Sequence, residues 1–142
     1  MPLIEKVLYR AQVKATVGRD IRTVSPDGAL DLKVTGQREL GGTNGPGTNP
    51  EQLFAASYAA SFLGMMRLVA EREGIALPTV TEVEASVGVG PTPRGFGIEV
   101  ELRIFLPGLP RDEADLLVEK SHAVCPYSSA TRGNVSMRLV LA

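Results

Sequence analysis

An α+β domain with the element order βββ-α-ββ-α-β is what this sequence predicts, and three observations predict it. Apolar and polar residues alternate along the first 35 positions and again between positions 82 and 106, the period of half-buried strands. Between these stretches lies one segment, Leu53 to Val69, that is apolar almost all the way round and reads as a helix buried in the core. A second, amphipathic helical pattern then leads into a last strand-like run. With no internal repeat and no linker, residues 1–142 are expected to form one domain of antiparallel sheets around a buried central helix.

The first strand is read from "VLYRAQVKATV", where Val7, Tyr9, Ala11, Val13, Ala15 and Val17 share one face against Arg10, Gln12, Lys14 and Thr16. "IRTVS" is a second strand, "SPDG" a turn, and "ALDLKVT" a third strand, so the opening is a meander. "GQRELGGTNGPGT" is Gly-rich and unpatterned; without a following Lys-Ser/Thr it is a flexible connector, not a phosphate cradle. Asn49 is a suitable N-cap, Pro50 fits the first helical position, and Glu51 favours the positive end of the helix dipole. The helix should run to about Glu73 and stop at Gly74, with Ala55, Ala56, Ala59, Ala60 and Gly64 small enough for close packing. Such a helix needs covering on more sides than one thin sheet provides.

Val83, Ala85, Val87 and Val89 alternate with Glu82, Glu84 and Ser86; beyond "PTPRG", Phe96 to Leu106 do the same, making a long hairpin with one wet face. "PRDEADLLVEKSHAVC" is an amphipathic helix that ends at Cys125 before Pro126, followed by a polar turn. "VSMRLVLA" is the closing strand.

Composition narrows the function classes. Net charge is −1, from 15 basic and 16 acidic residues with no run of either sign, which gives no footprint for nucleic acid. A single cysteine excludes an internal disulfide framework, and one histidine, one cysteine and scattered carboxylates assemble no metal site. "MPLIEKVLYR" lacks the features of a signal peptide, and the stretch from Leu53 to Met66 is short for a membrane span. A cytoplasmic protein in a reducing compartment is expected.

The chemistry lies in two motifs. "TNPEQLFAASYAASFLGMM" and "HAVCPYSSATRGN", with "GRD" near the start and "RELGG" in the loop, resemble the organic hydroperoxide resistance branch of the OsmC-like family, over essentially the whole chain. The resemblance implies an intertwined homodimer with active sites at the subunit interface. It also implies thiol-dependent reduction of organic, fatty-acid-type hydroperoxides to alcohols. The resolving cysteine of the family matches Cys125. Its peroxidatic cysteine falls on Ser61, so the chain departs from the pattern at the reacting atom. A serine forms neither a sulfenic acid nor a disulfide, and the redox cycle cannot run with it. Apart from the motif, Ser61 reads as a small residue at a tight helix crossing; within it, as a nucleophile lost through deliberate substitution or evolution.

The resemblance further assigns Arg19 as the cation that would lower a thiol pKa from about 8.5, and Glu51 as the carboxylate that holds that arginine. On residues alone, Arg19 is a solvated turn residue and Glu51 a partner of the helix dipole. Glu51 and Ser61 lie about 15 Å apart along one helix axis, so an arginine from elsewhere, or a second chain, must bridge them. Phe54, Phe62, Met65 and Met66 are candidates for an apolar substrate pocket, though a plain core contains the same residues. His122 is read as a packing or dipole residue, not as a base for Cys125. No cofactor is expected; the implied reductant is an external dithiol, such as dihydrolipoyl groups on a lipoylated protein or a small dithiol. The alternative reading is a non-catalytic protein that binds hydrophobic ligands or senses peroxide through Cys125 alone.

Overall fold

The computed structural model describes residues 3–18 and 20–142, and its elements make a mixed α+β fold. The backbone divides into two compact units, one up to Pro50 and one from Glu51 to Ala142.

The first unit is an antiparallel meander of β1 (Lys14–Thr16), β2 (Ile21–Val24) and β3 (Asp31–Val34). β1 is much shorter than the alternation over 7–17 suggests. Lys14 pairs with Val24, the last residue of β2, and the turn at Ser25–Gly28 begins there. Residues before Lys14 have no strand of this sheet beside them, and a period of two cannot replace a missing ladder. In the turn, Ser25 Oγ donates to Asp27 at 2.6 Å, and Gly28 takes a φ of 73°. Arg22 and Asp31 form a two-pronged ion pair across β2 and β3 at 2.7 and 2.8 Å.

The Gly-rich stretch is not the flexible connector expected. It contains a 3₁₀ turn, Arg38–Leu40, and closes on itself: Thr35 N–H donates to Thr48 O at 2.8 Å and Thr48 N–H to Lys33 O at 3.0 Å. Its glycines serve backbone proximity, since a Cβ on Gly42 would lie 2.2 Å from the carbonyl oxygen of Gly36.

The second unit opens with α1 (Pro50–Glu73) and continues through the hairpin of β4 (Glu82–Thr92) and β5 (Gly95–Phe105). The helices α2 (Arg111–Val124) and α3 (Pro126–Thr131) follow, then β6 (Ser136–Leu141). β5 is the central strand; β4 pairs with it antiparallel. β6 pairs with β5 parallel, which corrects the expectation of wholly antiparallel sheets. The cause is the connection: two helices lie between β5 and β6, and a helical crossover can return a chain to the same end of the sheet where a tight turn cannot.

The core of this unit combines Tyr58, Phe62, Met66, Val69 and Ala70 of α1 with Val100, Leu102 and Ile104 of β5. Ala114, Leu117, Val118 and Cys125 complete it from the other side. On α2 the buried positions are 114, 117, 118 and 121, the i, i+3, i+4, i+7 stripe, and Cys125 continues it. α1 has the length and apolar composition that a membrane crossing needs, yet Tyr58, Phe62 and Met66 are fully buried in this core. The expectation of burial all round is not met within one chain. Ala56, Ala60 and Gly64, spaced four apart, lie on an exposed face, and nothing stands within 4 Å of a Cβ built on Gly64.

Candidate functional site

Pro126 shapes the site. A proline removes the helical option from the residue before it, and Cys125 accordingly leaves α2 in an extended conformation, φ −67° and ψ 125°. The same proline suits the first position of a new helix, where its missing N–H costs nothing. What reads in sequence as a polar turn after Cys125 is therefore a six-residue helix, α3. Cys125 stands at the junction, with its N–H donating to Ser121 O at 2.9 Å and its carbonyl accepting from Ser129 N–H at 3.0 Å. Its thiol is fully buried.

From the other side comes α1. Ser61 is half-buried, and its Oγ lies 3.8 Å from Cys125 Sγ, within hydrogen-bonding range for sulfur. Residues 64 positions apart in the chain thus meet atom to atom. Glu51 lies in the first turn of α1, half-buried and ten residues before Ser61 on one unbroken helix. Arg19 lies outside the described residues, so its relation to the pair is not part of the geometry. Among the described residues no group of three or more His, Cys, Asp or Glu side chains is placed to hold a metal.

The apolar candidates separate. Phe62 and Met66 are fully buried members of the core, while Phe54 and Met65 are only partly buried. Phe54 packs its edge on Tyr58 (centroids 6.5 Å, 67°) and on Tyr127 (6.4 Å, 89°). Tyr58 and Tyr127 are themselves 5.7 Å apart. The three rings therefore pack as one cluster between α1 and α3, with Tyr58 fully buried within it. Tyr127 lies in the "HAVCPYSSATRGN" stretch without standing out there, because its packing depends on α3 being a helix.

No hydrogen bond joins His122 to Cys125 among the described residues, and its Nδ1 is buried without a hydrogen-bond partner. Burial, and then the nearby Arg132 guanidinium, lower its pKa below the ordinary imidazole value. Arg132 also donates to His122 O at 2.9 Å, tying the residue after α3 to the end of α2.

Comparison with known proteins sets this geometry in context. The family described as OsmC-like protein matches residues 41–140. The organic hydroperoxide resistance protein of Xanthomonas axonopodis pv. citri is 56% identical over 138 residues, 97% of either chain. In three dimensions, an organic hydroperoxide resistance protein from Legionella pneumophila superposes with a TM-score of 0.89 at 44% identity, covering 96% of this chain and 99% of that one. The protein OhrB of Bacillus subtilis gives 0.84 at 40% identity, covering 96% and 100%.

Proposed function

The chain belongs to the OsmC-like family, and from that premise we propose that it is the scaffold of a thiol-dependent peroxidase for organic hydroperoxides, inactive with Ser61 in the peroxidatic position. The observation that carries this reading is the 3.8 Å contact between Ser61 Oγ and Cys125 Sγ. A disulfide is about 2.05 Å long, so a thiol at position 61 would begin within reach of Cys125. The names of the relatives support the substrate class.

In the proposed cycle a thiolate at position 61 attacks the terminal oxygen of the hydroperoxide. The O–O bond breaks, the alkoxide takes a proton and leaves as the alcohol, and the sulfur becomes a sulfenic acid. Cys125 then attacks that sulfur; an S–S bond forms, the S–O bond breaks, and water leaves with the thiol proton. A dithiol, dihydrolipoyl by family resemblance, returns both cysteines to thiols by exchange. Arg19 supplies the charge that keeps the first thiol ionised, and Glu51 holds Arg19 in place. Phe54 and Met65, which reach the surface, are better placed than Phe62 and Met66 to meet an apolar peroxide. A dithiol-fed cycle fits the cytoplasm.

The reading includes a homodimer. Leu8, Tyr9, Val17 and Phe96 are between 70% and 88% exposed in the single chain, and Ala56, Ala60 and Gly64 of α1 are exposed as well. A sensor that relied on Cys125 alone would have to uncover a thiol that is fully buried.

The test is Ser61→Cys assayed with an alkyl hydroperoxide and dihydrolipoamide. We expect dithiol-dependent turnover in the variant and none above background in the present sequence. Equal inactivity of the two would sink the peroxidase reading. Adding Arg19→Ala should raise the pH at which the new thiol is alkylated by iodoacetamide, because the thiolate loses its stabilising cation.

A further inference from the structure

α1 and α3 are joined by a polar connection that the proposed reaction does not use. Tyr58 precedes Ser61 by three residues on α1 and is fully buried. Its hydroxyl lies 2.9 Å from Ser128 Oγ and 3.3 Å from Thr131 Oγ1, both on α3. Ser128 is fully buried and Thr131 is 2% exposed. Thr131 Oγ1 donates to the Ser128 carbonyl at 3.2 Å. One assignment of hydrogens satisfies all three hydroxyls: Ser128 donates to Tyr58, Tyr58 to Thr131, and Thr131 to the Ser128 carbonyl.

A phenylalanine, with apolar residues at 128 and 131, would fill the same space and avoid burying three hydroxyls, which is costly unless each is paired. The hydroxyl therefore calls for an explanation beyond packing. α3 has only six residues and no side-chain hydrogen bond capping its start, so its position depends on what grips it. The grip lies three residues past Cys125 on α3 and three residues before position 61 on α1. It fixes the two backbones that carry the reacting pair.

We infer that Tyr58, through Ser128 and Thr131, is a positioning residue that sets the separation of position 61 from Cys125, and with it the rate of disulfide closure. The inference rests on the peroxidase reading. The step it controls is the second one: Cys125 sulfur attacks the oxidised sulfur at 61 and displaces its oxygen as water. The Tyr58 hydroxyl bonds Ser128 and Thr131, not Ser61 or Cys125, so the first step, attack on the hydroperoxide, should not depend on it.

The experiment uses the full chain carrying Ser61→Cys, with and without Tyr58→Phe. Effective concentration of the two thiols is measured by exchange with glutathione and its disulfide, with no peroxide present. Attack on an alkyl hydroperoxide is measured separately as the single-turnover loss of the hydroperoxide. Tyr58→Phe should lower the effective concentration on the order of tenfold while leaving the rate of hydroperoxide loss unchanged, because closure is sensitive to misplacement. Adding Ser128→Ala to Tyr58→Phe removes the hydroxyl left unpaired, while Thr131 keeps its bond to the carbonyl of residue 128, so thermal stability should recover while closure stays slow. Recovery of closure together with stability would mean that the network serves folding alone and would overturn the inference. So would an effective concentration equal to that of Ser61→Cys in every variant. If Tyr58→Phe does not fold, Thr131→Val, which retains the Tyr58–Ser128 bond, gives the same comparison with a smaller expected loss. Impaired exchange in a Ser61→Cys series that never consumes hydroperoxide would support the positioning role and remove the peroxidase reading. Normal consumption with unaltered exchange would do the reverse.

Discussion

At the scale of single residues, His122 offers a test that is independent of redox chemistry. Burial holds its pKa below the ordinary value, so the folded chain disfavours the imidazolium. A depressed folded pKa means that stability is fully present above about pH 6.5 and is lost as pH falls through the folded value. His122→Gln should flatten that acid limb, read as the urea midpoint between about pH 8 and about pH 5. An identical slope in both proteins would show that His122 is solvated like a free imidazole. Asp27 and Asp31 are held low by their hydrogen bonds to Ser25 and Arg22, and their contribution is lost only further down, below the carboxylate range. The site was partly legible at this scale. Cys125 and Ser61 stood out because a motif surrounds each, and the chain brings them together. Tyr58 did not stand out, because a ring in an apolar helix looks like core. A clue was present, since a buried tyrosine must find a partner for its hydroxyl. The partners lie in residues 128–131, which read in the sequence as a polar turn.

Elements were legible where periodicity and partner agreed. The β4–β5 hairpin, α1 and α2 follow their patterns because each has a complete apolar stripe and a neighbour in the second unit. β1 shrank because alternation describes a face and not a ladder. α3 was missed because Pro126 ends one helix and starts the next with a single residue between. Adjacent leucines on α2 test the assigned helix phase. Leu117 is fully buried and Leu116 is 39% exposed. Leu117→Ala should cost about 2–5 kcal/mol, and Leu116→Ala within about 1 kcal/mol, both from urea unfolding. Equal losses would mean that the helix is rotated from the orientation described.

At the scale of the whole molecule, the exposed apolar residues and the open small-residue face of α1 set the main expectation. Sedimentation at micromolar concentration should give a species of twice 15.1 kDa, and the unfolding midpoint should rise with protein concentration, because assembly and folding are then linked. Gly64→Leu should shift the species towards the single chain if that face is where two copies meet. A 15.1 kDa particle at all concentrations would remove the dimer. A sequence alone shows that α1 is apolar on every side, but not which molecule covers the second side. The parallel pairing of β6 with β5 has one more consequence, in the order of events during synthesis. β4 and β5 are neighbours in the chain and can pair as soon as both have emerged, whereas β6 follows only after α2 and α3. Cys125 sits inside the long loop that this final pairing closes, so a ribosome-held chain would complete its hairpin early and the seat of its thiol late. Non-local contacts of this kind are slow to form. Until β6 docks, the cysteine remains open to oxidants and thiols in solution.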